Sequence, residues 1–230
     1  MSRAKLLVAI IIMAVVCPGI AMARTSLINP TSEGGFDAGT TFSANGWTAV
    51  GNNQNQYYVG TAPGQYAGSR CAFISNSASS WTSANQAAYR HIYRNVSFPA
   101  NSEDIELSFF YKLSALDSTY DGFKVYLCET SYTPTTSGYP SGTQLGLTWY
   151  DDYTSWTEVS IELDTYSLAG TTKRLVFTWR NDRATPRAVG ALDNISLSYD
   201  DAVSNPGSFL ATASSFDQIE IGRASCRERV

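Results

Sequence analysis

Short runs in which apolar and polar residues alternate restrict what this chain can fold into. The segment DIELSFFYKL has a large apolar residue at every second position, and GFKVYLC, EVSIEL and RLVFTW repeat the pattern. A period of two places these residues on one face of a half-buried strand, whereas an amphipathic helix needs a period near 3.6. The apolar positions of the four runs are Ile105, Leu107, Phe109, Tyr111, Phe123, Val125, Leu127, Val159, Ile161, Leu163, Leu175, Phe177 and Trp179.

About ten such strands are expected between residues 27 and 199, because Gly, Asn, Ser, Thr and Pro separate the runs at short intervals. A chain of this length can bury one sizeable core. Many short strands with turn-rich connections are typical of antiparallel sandwiches. The sequence therefore predicts an all-β fold, a two-sheet jelly-roll β-sandwich, over residues 24–200.

The N-terminal residues are expected to lie outside that domain. Arg3 and Lys5 precede an apolar run at 6–16, and the small-x-small pattern AMA follows at 21–23. This order predicts a secretory signal peptide over residues 1–23. The run is shorter than the roughly 20 apolar residues that a membrane span needs. We expect a secreted or cell-surface protein, without membrane insertion after signal cleavage.

The composition changes again after Asp200. Residues 201–206 have the character of a linker, and residues 207–219 resemble the first strand of a fibronectin type III module, a disordered tail being the alternative. Residues 220–230, EIGRASCRERV, match the translation of a common sequencing-library adapter. We expect these last residues to be an assembly artefact and the protein to be truncated there.

The charge balance argues against one class of partner. The chain has 16 basic and 20 acidic residues, and five of the basic ones lie in the expected signal peptide or in residues 220–230. The remainder is acidic and has no basic stripe to neutralise phosphates, so nucleic acid is not expected as a partner. Cys71 and Cys128 remain in the domain, either as a disulfide of an exported protein or as two buried free thiols.

No set of residues with the spacing of a known catalytic site is found. His91 is the only histidine, there is no G-x-S-x-G motif, and a zinc site would need more imidazoles or thiolates. His91 is therefore expected on the surface or in packing. A jelly-roll glycosidase would need paired carboxylates on one strand face, but NSEDIEL offers Ser102 where the first carboxylate should stand, followed by Asp104 and Glu106. We predict no catalytic residue, with a glycoside hydrolase as an alternative.

Aromatic residues in polar surroundings are candidates for ligand binding. The segment TWYDDYTSW concentrates aromatic rings around two aspartates, and Trp81 lies in the polar stretch ASSWTSANQ. Exposed rings in loops can stack on a saccharide, although aromatic residues also fill sandwich cores. The predicted ligand-binding residues are Trp81, Trp149, Tyr150, Asp152 and Tyr153.

One carboxylate interrupts a strand pattern. In GALDNISL, a period of two places Asp193 on the same face as Ile195 and Leu197, the face expected to meet the core. A buried carboxylate without a partner is costly. Backbone amides, Arg180 or Arg187 are possible partners.

Five blocks of the sequence, taken in order, resemble a known family. They are GGFDAGTTFSANGWTAV, NQNQYYVGTAPGQYAGSRCAFISN, YDGFKVYL, KRLVFTWRND and GALDNISL. Their order is similar to that of cleaved-adhesin and choice-of-anchor modules, and the likeness covers nearly all of residues 27–199. The resemblance implies a MAM-like or carbohydrate-binding-module-like jelly roll of a secreted bacterial surface protein, acting in adhesion or recognition.

The resemblance also implies a structural calcium ion. In such modules, an acid after the opening Phe and the acid of the last strand bind the ion, and the matching positions here are Asp37 and Asp193. Glu33 and Asp121 are further acids that could contribute. Calcium collects carboxylate and carbonyl oxygens, and it would offset the cost of burying Asp193.

Taken together, these features predict a secreted, non-catalytic adhesion or recognition module. Its expected partner is an extracellular glycan or a surface or matrix protein, and it would form the N-terminal part of a larger multidomain protein. A structural spacer beside a catalytic domain lost by truncation is the first alternative, and the jelly-roll glycoside hydrolase is the second.

Overall fold

The computed structural model describes most of the predicted domain. The described residues are 24–52, 54–84, 86–114, 121–147, 154–182 and 189–201. The predicted signal peptide, fibronectin-like segment and adapter-derived tail all lie outside the described residues, so they stay predictions. The same holds for most of the linker.

Eleven strands in the described residues form two antiparallel sheets. The six-stranded sheet contains β1 (Arg24–Ile28), β3 (Gln56–Gly60), β4 (Cys71–Ser75), β6 (Ser102–Ser114), β9 (Thr157–Glu162) and β11 (Val189–Asp201). The five-stranded sheet contains β2 (Thr48–Val50), β5 (Ala88–Ser97), β7 (Gly122–Glu129), β8 (Thr143–Leu145) and β10 (Thr172–Asn181). The described helical parts are a 3-10 turn, Ser43–Asn45, and the short helix α1 (Thr165–Leu168).

The strand order runs β3-β4-β11-β6-β9 in the first sheet, with β1 also paired to β11, and β2-β5-β10-β7-β8 in the second. Apart from β3-β4 and β7-β8, strands that pair in these sheets are not consecutive in sequence, as the crossing connections of a jelly roll require. The predicted all-β, two-sheet jelly-roll sandwich is confirmed.

The core lies between the two sheets and is built from the alternating runs. Ile105, Leu107 and Phe109 of β6 and Phe177 of β10 are each at most 1% exposed. Val159 and Ile161 pack against the core from the edge strand β9 and are only partly buried. The two-residue period thus predicted the core-facing side of these strands correctly.

The face predicted for Asp193 is wrong, because β11 is interrupted by a bulge. Leu192 and Ile195 both belong to the core between the sheets, although they lie three positions apart. Asn194 between them has φ 46°, and the pairing of β11 with β6 shifts register after Asp193. The extra residue turns Asp193 to the outer face of the sheet, where Ala191 also lies.

The two cysteines are free thiols, which decides between the alternatives that the sequence left open. Cys71 packs on the outer face of the six-stranded sheet, and Cys128 packs on the outer face of the other sheet. Burial is the main cause that raises the pKa of both thiols, to about 11 for Cys128. Neither thiol is therefore ionised near neutral pH.

His91 is fully buried beneath residues 130–142, which cross the outer face of the five-stranded sheet. Its Nε2 lies 2.9 Å from the carbonyl oxygen of Thr135, and its Nδ1 lies 3.0 Å from Oγ1 of Thr178. A carbonyl only accepts, so Nε2 carries the proton and Nδ1 accepts from the threonine hydroxyl. Burial lowers the pKa of His91 to about 4.

His91 should make the stability of the fold fall as the pH is lowered. Its folded pKa, about 4, lies below its ordinary value of 6.5. Between these values the unfolded chain binds a proton that the folded chain does not, which costs up to about 1.4 kcal/mol of unfolding free energy per pH unit. We expect His91→Gln to flatten this dependence in urea unfolding at pH 7, 6 and 5. If the unfolding free energies of the two proteins fall equally with decreasing pH, His91 is not the source of the dependence.

Candidate functional site

The outer face of the six-stranded sheet carries a cluster of aromatic rings that lie outside the core. We call this surface the aromatic face and define it by Tyr58, Tyr66, Phe73, Trp81, Phe110, Lys112 and Trp156. Three of its members stand in one row across the sheet, since Tyr58 pairs with Phe73, Phe73 with Ala191, and Ala191 with Lys112. Directly paired residues share a face of the sheet.

Tyr66 is the ring of the aromatic face that is most open to solvent. Its ring stacks on that of Phe110, with 3.6 Å between centroids and 13° between planes. It remains 44% exposed, and Trp156 meets it edge to face at 6.4 Å. The indole N–H of Trp156 donates to the carbonyl oxygen of Gly64, 3.2 Å away. One flat side of Tyr66 is thus covered by protein while a large part of the ring stays accessible.

Trp81 is the one predicted ligand-binding residue that the structure describes, and it lies on the aromatic face. The Lys112 ammonium lies 5.0 Å from the centroid of the Trp81 ring and donates to the carbonyl oxygen of Pro63 at 2.9 Å. Trp81 also packs against the cluster of Cys71, Phe73 and Ala191. The other predicted ligand-binding residues, Trp149, Tyr150, Asp152 and Tyr153, lie outside the described residues.

Asp193 holds the loop that carries Tyr66. This loop, residues 61–70, connects β3 to β4 and folds over the sheet. One carboxylate oxygen of Asp193 accepts hydrogen bonds from the amides of Tyr66, at 2.7 Å, and Ala67, at 3.2 Å. The other oxygen accepts from the amide of Asn194 at 2.8 Å. Backbone amides, one of the partners considered from the sequence, therefore bind this carboxylate.

Asp37 holds the C-terminal part of the same loop. Its Oδ1 accepts from the amide and the hydroxyl of Ser69, both at 2.7 Å, and from the amide of Arg70 at 3.1 Å. Gly68 has φ 63°, and a Cβ there would lie 1.8 Å from Oδ2 of Asp37. The approach of the carboxylate to this loop therefore requires glycine at position 68.

The charge on Asp193 is only partly compensated. Burial raises its pKa to about 6, the three amide hydrogen bonds oppose that rise, and the neighbouring charge of Asp37 adds to it. None of the ion pairs in the described part of the chain reaches either carboxylate. Among the described residues, the hydrogen bonds to these two carboxylates come from backbone amides and one hydroxyl.

The structure brings together two of the four acids that were predicted to bind calcium. Asp37 and Asp193 contact the same loop, whereas Glu33 accepts from the Asn29 amide at 3.0 Å and lies 3.8 Å from Arg94. Asp121 accepts from the amide of Asp182 at 2.8 Å. No group of three or more His, Cys, Asp or Glu side chains suited to a metal occurs among the described residues.

The atoms around Gly35 nevertheless include the type of donor that calcium prefers. A Cβ at Gly35 would lie 3.3 Å from Oδ2 of Asp37 and 3.5 Å from Oδ1 of Asn194. Within the described part of the chain, no hydrogen bond reaches either of these two oxygens. Uncommitted carboxylate and amide oxygens of this kind fit a calcium ion in chemistry.

Asp104 and Glu106, the carboxylates of the glycosidase alternative, are not paired on one face of a regular strand. Asp104 has φ 44° and is exposed, while Ser102 is buried, so the alternation predicted for NSEDIEL is interrupted. Glu106 forms an ion pair with Arg24 at 2.7 Å and accepts from the hydroxyl of Ser160. Both contacts engage Glu106 with other side chains of the six-stranded sheet.

A search for membrane-crossing helices gave none in the described ranges: their helical parts are too short and too polar for a span.

Comparisons with known proteins gave matches among solved structures only. No protein-family model matches the chain, and no curated protein does. TmCBM61 in complex with β-1,4-galactotriose is similar at 14% identity, covering 74% of this chain and 97% of that one, with a TM-score of 0.45. The tandem CBM22-1-CBM22-2 domain of Xyn10C from Paenibacillus barcinonensis is similar at 20% identity, covering 83% of this chain and 49% of that one, with a TM-score of 0.49.

A third similar structure is the K1 cleaved adhesin domain of Lys-gingipain from Porphyromonas gingivalis. It is 14% identical, covers 77% of this chain and 97% of that one, and has a TM-score of 0.43. All three similarities are remote in sequence and have TM-scores below 0.5, so the fold assignment rests on the strand order itself. The resemblance of the five sequence blocks to cleaved-adhesin modules stays a prediction.

Removal of the Asp193 carboxylate should loosen the loop at residues 61–70. In Asp193→Ala the amides of Tyr66 and Ala67 lose their acceptor, and we expect the unfolding free energy to fall by about 2–4 kcal/mol. Urea unfolding measures this loss, and hydrogen exchange at the two amides should accelerate. Glu103→Ala, which removes an exposed carboxylate of β6, serves as the control. Equal effects of the two substitutions would contradict the assigned role.

Proposed function

We propose that the aromatic face binds a carbohydrate chain and that the protein is a non-catalytic recognition module. The observation that carries the proposal is Tyr66, which lies flat on Phe110 and is still 44% exposed. The apolar C–H face of a sugar ring stacks on such a ring, and the sugar hydroxyls remain free for hydrogen bonds. Trp156, beside Tyr66, and Trp81, beside Lys112, add further rings to this surface.

The polar groups around the rings suit an uncharged glycan. Lys112 donates from β6, and Glu158 of β9 stands exposed directly across from Phe110. Because these two charges are of opposite sign, the aromatic face has no net electrostatic attraction for a polyanion or a polycation. Both side chains can form charge-assisted hydrogen bonds to sugar hydroxyls.

The loop that presents Tyr66 is ordered before any ligand arrives. Asp193 and Asp37 together accept hydrogen bonds from four backbone amides of residues 66–70. A loop fixed in this way loses little conformational freedom on binding, which supports affinity from a small contact area. The proposed setting is outside the cell, consistent with the expected signal peptide.

Binding should depend on the exposed rings of this face. We expect the fragment 24–201 to bind at least one neutral oligosaccharide on a glycan array. Tyr66→Ala and Trp156→Ala should each weaken this binding at least tenfold, because the loss of a stacking ring costs about 1.4 kcal/mol or more of binding free energy. Tyr166→Ala removes a tyrosine that is 98% exposed on α1 and should leave binding unchanged. If no glycan binds, the protein is a spacer or binds another class of partner.

We further infer that calcium binds at Asp37 and Asp193. The inference is supported by the lack of an ion-pair partner for either carboxylate among the described residues, and by the oxygens of Asp37 and Asn194 that lie near Gly35. When bound, the ion would supply positive charge that offsets the burial of Asp193. Asp37 and Asp193 would hold it, and the same two residues would still position the loop at residues 61–70.

Chelation should therefore lower thermal stability. A ligand that binds only the folded state raises the melting temperature by mass action. We expect the wild-type protein to melt several degrees lower in EDTA than in 1 mM calcium chloride, and Asp193→Asn and Asp37→Asn to remove the difference. Asp104→Asn should keep it. Identical wild-type melting curves in EDTA and in calcium would overturn the inference.

A further inference from the structure

In the described part of the chain, the two sheets end on one side of the sandwich in β8 and β9. Among the described strands, β8 pairs only with β7 and β9 pairs only with β6, so each has one unpaired backbone edge. A cavity of about 400 Å³ lies between these two edges. Its apolar floor comes from both sheets and from α1, and consists of Leu127, Leu145, Ile161, Leu163 and Leu168.

The rim of this cavity is polar and mostly acidic. Glu129 and Lys173 form an ion pair at 2.5 Å, which leaves no free positive charge on the rim. Asp164 accepts from the amide of Tyr166 at the start of α1, and Glu162 is exposed at the end of β9. The cavity therefore combines an apolar interior with a negatively charged border.

A second groove continues from the first, and most of its charged residues are acidic. The two share Glu162 and Leu163. The groove is further lined by Asp104, Glu106 and Asp200, and by one cation, Arg24. Arg24 contacts Glu106 at 2.7 Å and Asp200 at 3.8 Å, so one positive charge faces four carboxylates. Neither groove belongs to the aromatic face.

We propose that β9 binds an extended segment of a partner protein in which basic and apolar residues alternate. The inner residues of β9, Val159 and Ile161, face the core, while its outer residues Glu158 and Glu162 are exposed. A strand added beside β9 would follow the same alternation. Its inward side chains would enter the apolar cavity, and its outward Lys or Arg side chains would lie beside the glutamates.

The charges also decide against self-pairing through this edge. A second copy of β9 would bring the segment TEVSIE against itself and place glutamates opposite glutamates. Like charges directly opposite each other destabilise a strand pair. The glutamates of β9 attract a basic partner and repel a second copy of β9. The same carboxylates repel a nucleic acid.

Fluorescently labelled peptides test the proposal directly. The probe is an eight-residue peptide of alternating Lys and Val, and the two controls alternate Glu with Val and Lys with Ser. Fluorescence polarisation at low salt should show at least tenfold tighter binding of the first peptide than of either control, because only it supplies both the charge and the apolar side chains. On binding, the amides of β9 should gain hydrogen-exchange protection, and those of β2 should not.

Matched variants locate the binding on the protein. Glu162→Gln should weaken binding about fivefold, whereas Thr48→Lys, which makes the same change of net charge on the exposed edge strand β2, should not weaken it more than twofold. Ser167→Trp, at the mouth of the cavity, should block binding, and Tyr166→Trp beside it should not. Circular dichroism checks that each variant is folded.

Three results would overturn the proposal. They are equal affinity for the three peptides, equal loss of binding in Glu162→Gln and Thr48→Lys, and protection of strands other than β9 in the wild-type protein. The last measurement uses no variant, so it decides the question even if a substituted protein fails to fold. Glycan binding by the aromatic face is measured separately, and its failure would leave this result unaffected.

Discussion

The candidate site depends on one irregularity in the central strand of the six-stranded sheet. At Asn194 the backbone adopts φ 46°, and β11 gains a residue relative to β6. Leu192 and Ile195 thereby both remain in the core, while Asp193 is turned to the outer face. With strict alternation the carboxylate would lie on the side of Ile195, between the sheets, where a charge without hydrogen-bond partners is very costly. The bulge gives it the amides of residues 66, 67 and 194 instead.

The same carboxylate makes an otherwise exposed loop part of the fold. Residues 61–70 contribute no strand of their own, and their position is set by the bonds to Asp193 and Asp37 and by the stacking of Tyr66 on Phe110. Hydrogen bonds to an ionised acceptor are stronger than those between neutral groups. The contacts that Asp37 and β11 make with the loop at residues 61–70 therefore fix the position of Tyr66, the ring that is most available to a ligand.

The two outer faces of the sandwich differ in what covers them. Residues 130–142 cross the outer face of the five-stranded sheet, where His91 and Arg174 bind the carbonyl oxygens of Thr135 and Tyr132. Those contacts bury the polar and aromatic groups beneath. On the six-stranded sheet, the loop at residues 61–70 leaves Tyr66 and Trp156 at least partly exposed. This difference in coverage is the reason why the proposed recognition surface is the aromatic face and not the outer face of the five-stranded sheet.

The sequence by itself determined the fold class and the core-facing side of most strands, because the period of two depends only on local backbone geometry. It also singled out Asp193 and Trp81, whose residue types are unusual in their surroundings, and the resemblance to a known family added Asp37. The tertiary structure alone decided which way Asp193 points, since a bulge is a mismatch between two paired strands and cannot be read from one of them. It alone identified Tyr66, since a ring in a loop has no periodic pattern and is held flat on the sheet only when the loop folds onto Phe110.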